Sequence, residues 1–301
     1  MKFKIIITIV LTGIVQSVYA YPITPRPLRN LVMESEFIVY ADVIRIEKIE
    51  TENYWSQTKA ILVIKEILQG KIKKDTLEVI FNSNMICPSP ARYENGTTVL
   101  AFLDKQKNNY STHALSYGSK TIDAIAYKSY KIRIIEMQNI LQIKNEEEKI
   151  QKTIDWFIAC AINTNTRWEG VYELSPRGDF MSYYDQDKDT IIRKYELNDA
   201  QKLKLRKALF EIGKLTYADI GLIDLVEDNN DKKVTDFLIR KLKEKDLEKT
   251  WYQSFLMKRV AECMNRDDLR GIVLEIEELD YKDKKRKEKE NELTKKFLKK
   301  I

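Results

Sequence analysis

The chain has 301 residues, a formal net charge of +6, 44% hydrophobic residues and 33% charged residues. That is enough apolar material for one large or two ordinary cores. The single histidine, His113, excludes a zinc hydrolase built on several histidines.

The charge is unevenly spread. Residues 281–301 hold ten Lys or Arg against four Asp or Glu, which is +6 by themselves. Lys2 and Lys4 at the start add two more positive charges, so everything between is slightly acidic. The basic character therefore belongs to a tail, and nucleic acid is not an expected partner.

Residues 1–20 read as a cleavable export leader. Lys2 and Lys4 form its positive region, Ile5 to Val15 its apolar region, and Val18 and Ala20 the small residues at the cleavage site. The apolar run is shorter than the roughly 20 residues a membrane span needs. Tyr21 is then the expected first residue of an exported protein, periplasmic or secreted, and no later segment is apolar enough to cross a membrane. Cys87, Cys160 and Cys263 allow one disulfide in an oxidising compartment, with the pairing open. Cys160 and Cys263 sit in helical apolar patterns, which favours buried thiols.

From about Leu31 to Ile125 the chain reads as strands. Phe37–Val43, Ala60–Ile64, Leu77–Phe81 and Thr97–Leu103 are rich in β-branched and aromatic residues. Asn95-Gly96 predicts a type I′ turn before the fourth of these, and His113–Tyr117 is a fifth candidate ended by Gly118. Five short strands in about 95 residues suit a small closed barrel.

The series SEFIVYADVI, KAILVIKEILQGKI, ICPSPARYENGTTVLAFLD and ALSYGSKT resembles the OB-like barrel of netrin-type domains. That group includes the tissue inhibitors of metalloproteinases and exported bacterial proteins. The shared pattern is a strand after Ser35, a turn at Gly70, a Cys before a Gly-led strand, and a late Gly. The inhibitors place a cysteine at the mature N-terminus to bind the protease zinc. Tyr21 followed by Pro22 stands here, so the resemblance does not imply that mechanism.

From about Tyr130 onward the pattern is helical. The spacing predicts a helix over 148–163, with Ile154, Phe157, Ile158 and Ala161 on one face, and another after Asn198 as N-cap. Residues 167–184 look irregular and aromatic. Val234–Leu242, Leu247–Val260 and Leu269–Ile276 repeat apolar residues at three and four, resembling stacked hairpins of the HEAT type. Residues 281–301 predict a solvated helix with only Leu293, Phe297 and Leu298 as anchors.

Three stretches invite a chemical reading. Asp185, Asp187, Asp189 and Glu196 fall on ligand positions of an EF-hand loop, where alternate carboxylates surround calcium. Thr190 occupies the position that needs Gly, and no clear helix leads in. Ser56 and Lys59 match Ser-x-x-Lys, but the companion motifs of that enzyme class are absent and the serine leads into a strand. Trp168, Tyr172, Tyr183 and Tyr184 form an aromatic cluster suited to lining a binding groove or sealing a junction.

The expectation is an exported α+β protein: leader 1–20, OB-like barrel 21–126, helical domain 127–280, and basic tail 281–301. Its expected task is non-enzymatic binding, with another exported or surface protein as partner and no cofactor unless calcium. The alternatives are a calcium-dependent structural or adhesion protein, and a hydrolase with a carboxylate pair hidden among the many Asp and Glu.

Overall fold

The structure, a computed structural model, describes residues 24–49, 57–85, 89–226, 231–244 and 251–301. The leader, Ser56 and Cys87 lie outside the described residues. The fold is mixed α+β: a six-stranded sheet, a separate two-stranded one, and ten α-helices among the described residues. No helix among the described residues is long and apolar enough to cross a membrane. The chain forms two compact units, one holding Glu34–Thr121 and the other Pro27–Met33 with Ile122–Ile301.

The strand-rich unit contains β1 (Phe37–Ile49), β2 (Gln57–Gln69), β3 (Thr76–Phe81), β4 (Thr98–Gln106), β5 (Asn109–Thr112) and β6 (Ser119–Thr121). β1 pairs with both β2 and β4, β3 pairs with β2 and β5, and β5 pairs with β4. The ladder therefore returns to β1 through five strands. Register shifts near Ile38, Tyr40 and Val43 interrupt the ladder of β1 with β2. Its core comes from alternate positions: Val39, Ala41 and Val43 on β1, Ala60 and Leu62 on β2, Leu77 and Val79 on β3, and Val99, Ala101 and Leu103 on β4. Period-two alternation puts these side chains on one face.

Two strand expectations change. The Asn95-Gly96 turn has only Gly96 left-handed, at φ 79°, with Thr97 N–H donating to Glu94 C=O. A type I′ turn needs both central residues left-handed, so this is not one. His113–Tyr117 is not a strand. Ala114 and Leu115 are both left-handed there, and the chain makes a 3-10 turn over Leu115–Gly118 between β5 and β6.

The helical unit starts before the sheet, with α1 (Leu28–Glu34), and resumes after it. It continues with α2 (Ala124–Leu141), α3 (Glu146–Ile162), α4 (Arg167–Leu174), the hairpin β7 (Ser182–Asp185) and β8 (Thr190–Arg193), and α5 (Asp199–Phe210). Then come α6 (Tyr217–Val226), α7 (Lys232–Leu242), α8 (Trp251–Cys263), α9 (Asp267–Glu277) and α10 (Arg286–Leu298). Side-chain caps start several of them. Asp123 accepts from Ala126 N–H, Asn145 from Glu148 N–H, and Asn198 forms a full capping box with Gln201. Helices α7 to α10 each pack on the next. Ile154, Phe157, Ile158 and Ala161 are buried along α3, as their spacing requires.

Two helical expectations also change. Residues 167–174 are not irregular but form α4. Gly170 lowers helix propensity, yet a Cβ there would sit 2.2 Å from the carbonyl oxygen of Phe157. The glycine is thus the condition for α4 pressing onto α3. The basic tail is not simply solvated: α10 packs on α9 with Phe297 fully buried, and the Lys300 ammonium reaches Asp268 at 2.6 Å.

Candidate functional site

A cavity of about 910 Å³ opens within the helical unit. Its walls come from α4 (Trp168, Val171, Tyr172), the following turn (Pro176, Arg177), β8 (Ile191, Arg193), the start of α5 (Leu197, Lys202), α6 (Tyr217, Ile220, Asp224) and α8 (Phe255, Arg259). Trp168 and Tyr172 are four residues apart on α4 and stack at 5.5 Å with 29° between their planes. Tyr217, on α6, is 60% exposed.

The cavity depends on how α4 is held. This helix carries three buried charged side chains, Arg167, Glu169 and Glu173. The Arg167 guanidinium pairs with the Asp219 carboxylate of α6, and its Nε donates to the Ala161 carbonyl at 3.0 Å. Asp219 also accepts from the Thr216 N–H at 2.6 Å and the Thr216 hydroxyl at 2.7 Å, closing the first turn of α6. Gly221 lets α6 approach, since a Cβ there would lie 2.2 Å from a Val171 methyl. Glu169 accepts from the Leu28 N–H at 2.7 Å and from the Tyr130 hydroxyl at 3.0 Å, joining α1 and α2 to α4. Glu173 accepts from Arg29 Nε at 2.6 Å, and Arg29 also holds Asp179 at 2.5 Å.

Burial outweighs the Arg29 guanidinium at Glu173. Its carboxyl is pushed up to about 7, and its second oxygen has no hydrogen-bond partner. Burial, reinforced by the neighbouring Glu169, holds the Tyr130 phenol well above its usual range. Glu169 and Glu173 are the close carboxylate pair that a hydrolase reading requires. They lie on the face of α4 bonded to α1 and α2, not among the residues lining the cavity.

Of the four aromatic candidates, the structure brings Trp168 and Tyr172 into the cavity wall. Tyr183 and Tyr184 stand on β7, 47% and 56% exposed, outside it. The Asp-rich segment folds as a β-hairpin: Asp185 pairs with Thr190, and Asp185 Oδ1 accepts from the N–H groups of Asp187 and Lys188 at 3.1 and 3.3 Å. Asp189 is left-handed in that turn and accepts from the Tyr184 hydroxyl. Glu196 lies beyond the hairpin, 3.7 Å from Arg193, and lines the cavity. No group of three or more His, Cys, Asp or Glu is placed to hold a metal ion among the described residues.

The other candidates have structural partners. His113 bridges two carboxylates in the strand-rich unit, with Nδ1 at 2.8 Å from Asp104 and Nε2 at 3.2 Å from Glu34. Lys59 on β2 pairs with Glu47 at 2.9 Å and Glu78 at 3.4 Å. Cys160 and Cys263 are buried in α3 and α8.

Sequence reasoning missed Arg177, Lys202 and Arg259 on the cavity wall. Nothing in their local sequence distinguishes them from other surface cations. It also passed over Glu169 and Glu173, whose spacing of four on one helical face was visible. No protein-family model matches the chain, and no curated protein matches it either.

Proposed function

We propose that this is an exported, non-enzymatic binding module that holds part of another exported or surface protein in the cavity of its helical unit. The cavity wall carries the reading: the stacked Trp168 and Tyr172, with Tyr217, Phe255 and Arg259 facing the same space. Trp, Tyr and Arg are the residue types that dominate binding energy at protein interfaces. The volume lies at the upper end of the roughly 300–1,000 Å³ of ligand sites. The five-strand circuit supports the OB-like barrel resemblance, and the succession α7 to α10 supports the HEAT-like one; both architectures present surfaces to partners. The leader composition supports export.

Photo-crosslinking in the producing cell tests this. A benzophenone side chain at position 217 should yield a discrete protein adduct that disappears in Trp168→Ala. The same group at position 281, where Tyr281 is 75% exposed and outside the cavity wall, should not yield it. Equal adducts from both positions, or none from position 217, would overturn the reading.

A further inference from the structure

We infer that the cavity takes an extended peptide segment of the partner in which an Asp or Glu side chain lies beside a large apolar one. This rests on the binding reading above and adds the chemistry of the ligand. The wall has two parts that ask for different things. One is apolar and aromatic: Trp168, Tyr172 and Phe255, with Ile191 at the edge. The other is cationic. Arg177, Arg193, Lys202 and Arg259 line the space against two carboxylates among the described residues, Glu196 and Asp224.

Those two carboxylates are already engaged. Asp224 pairs with Arg259 at 2.5 Å and Glu196 with Arg193 at 3.7 Å. Arg177 and Lys202 are exposed and have no carboxylate partner among the described residues. The uncommitted charge of the wall is therefore positive, at two points next to an aromatic surface. A carboxylate placed there gains charge-assisted hydrogen bonds, while a basic segment meets repulsion. A neutral sugar would need several planar amides or uncommitted carboxylates to read its hydroxyls, and among the described residues the wall contains no Asn or Gln. A side-chain carboxylate is favoured over a chain terminus because Arg177 and Lys202 are exposed and an extended segment can run past them.

Selection of randomised octapeptides, displayed with both ends internal to a carrier, against the whole exported chain tests the inference. The enriched set should place Asp or Glu within two positions of Phe, Tyr, Trp or Leu. An enriched octapeptide made synthetically, acetylated and amidated, should bind with an affinity that falls as sodium chloride rises. Arg177→Gln and Lys202→Gln should each weaken it about fivefold. Trp168→Ala should weaken it about thirtyfold, with an unchanged far-ultraviolet dichroism spectrum as the folding control.

Replacing the Asp and Glu of the peptide by Asn and Gln separates the two claims. If the amide peptide binds equally and still depends on Trp168, the acidic specificity is wrong and the binding cavity stands. If no peptide is enriched, or if binding ignores Trp168→Ala, both are wrong. Enrichment of Lys- or Arg-rich peptides overturns the inference outright.

Discussion

The two units bury charge in opposite ways. In the strand-rich unit the core around Val39, Leu62, Val79 and Leu103 is hydrophobic, and its ion pairs, such as Asp42–Lys65 and Glu47–Lys59, stay partly exposed. In the helical unit Arg167, Glu169, Glu173, Asp219 and Lys241 are all buried; among the described residues, every buried charged side chain lies there. The reason is how each architecture sets its geometry. A sheet fixes the placement of strands through backbone hydrogen bonds and period-two patterning. Helices share no backbone bonds with their neighbours, so side chains decide how they dock. Here polar anchors join α4 to α1, α2 and α6, and α4 carries the aromatic wall of the cavity.

Paired substitutions break or sharpen that comparison. The largest effect should come from Arg167→Ala, which strands the Asp219 carboxylate in the interior and costs about 3–5 kcal/mol. Leu62→Ala in the sheet should cost about 2–5 kcal/mol by cavity formation alone. Denaturant titration measures both. Only the first should also raise the accessibility of Trp168 to a fluorescence quencher in the folded state, read with the other three tryptophans replaced by Phe, because only it loosens α4.

The pH response should be next in size and should belong to the helical unit. The folded carboxyl of Glu173 titrates near 7 against an ordinary value of 4.5, so the folded state holds the proton more tightly. Its contribution is fully present below pH 4.5 and is lost as pH rises through 7. The loss amounts to at most about 3 kcal/mol. The denaturation midpoint of the wild type should fall across this window, and that of Glu173→Gln should stay nearly level. A wild-type midpoint that rises instead would mean that Arg29, not burial, dominates at this carboxylate.

Smaller effects are expected at the surface of the strand-rich unit. His113→Ala removes a bridge between Asp104 and Glu34 that is partly open to solvent, and should cost about 1 kcal/mol in a thermal melt. The smallest belongs to the Asp-rich hairpin. Asp185 already caps its own turn, so millimolar calcium should produce no binding heat, and Asp187→Ala should leave the melting temperature unchanged.

Local patterning made the strands, the capped helices and the mixed fold class legible. Asn198 announced α5 because an N-cap acts on residues three positions away. Runs of β-branched and aromatic residues announced β1 and β4 for the same local reason. The hairpin at Asp185–Thr190 was not legible, because the same alternate Asp residues suit a calcium loop and a turn. Whether they form one or the other depends on whether helices or strands flank them. Two of the four aromatic candidates line the cavity: Trp168 and Tyr172 share a helical face, while Tyr183 and Tyr184 fall on a strand that carries them elsewhere.

By itself the sequence determined which segments favour strands, which repeat helically, where caps begin helices, and that basic charge gathers at one end. These are properties of neighbours within a few positions, set by backbone geometry and side-chain type. Only the tertiary structure decided that α1 joins the helical unit ahead of the sheet, and that Glu169 and Glu173 bind residues roughly 140 positions earlier. It alone placed Arg177, Lys202 and Arg259 in the same cavity wall as Trp168. Such contacts arise from burying apolar faces between distant elements, and no local spacing records which distant partner will complete a buried charge.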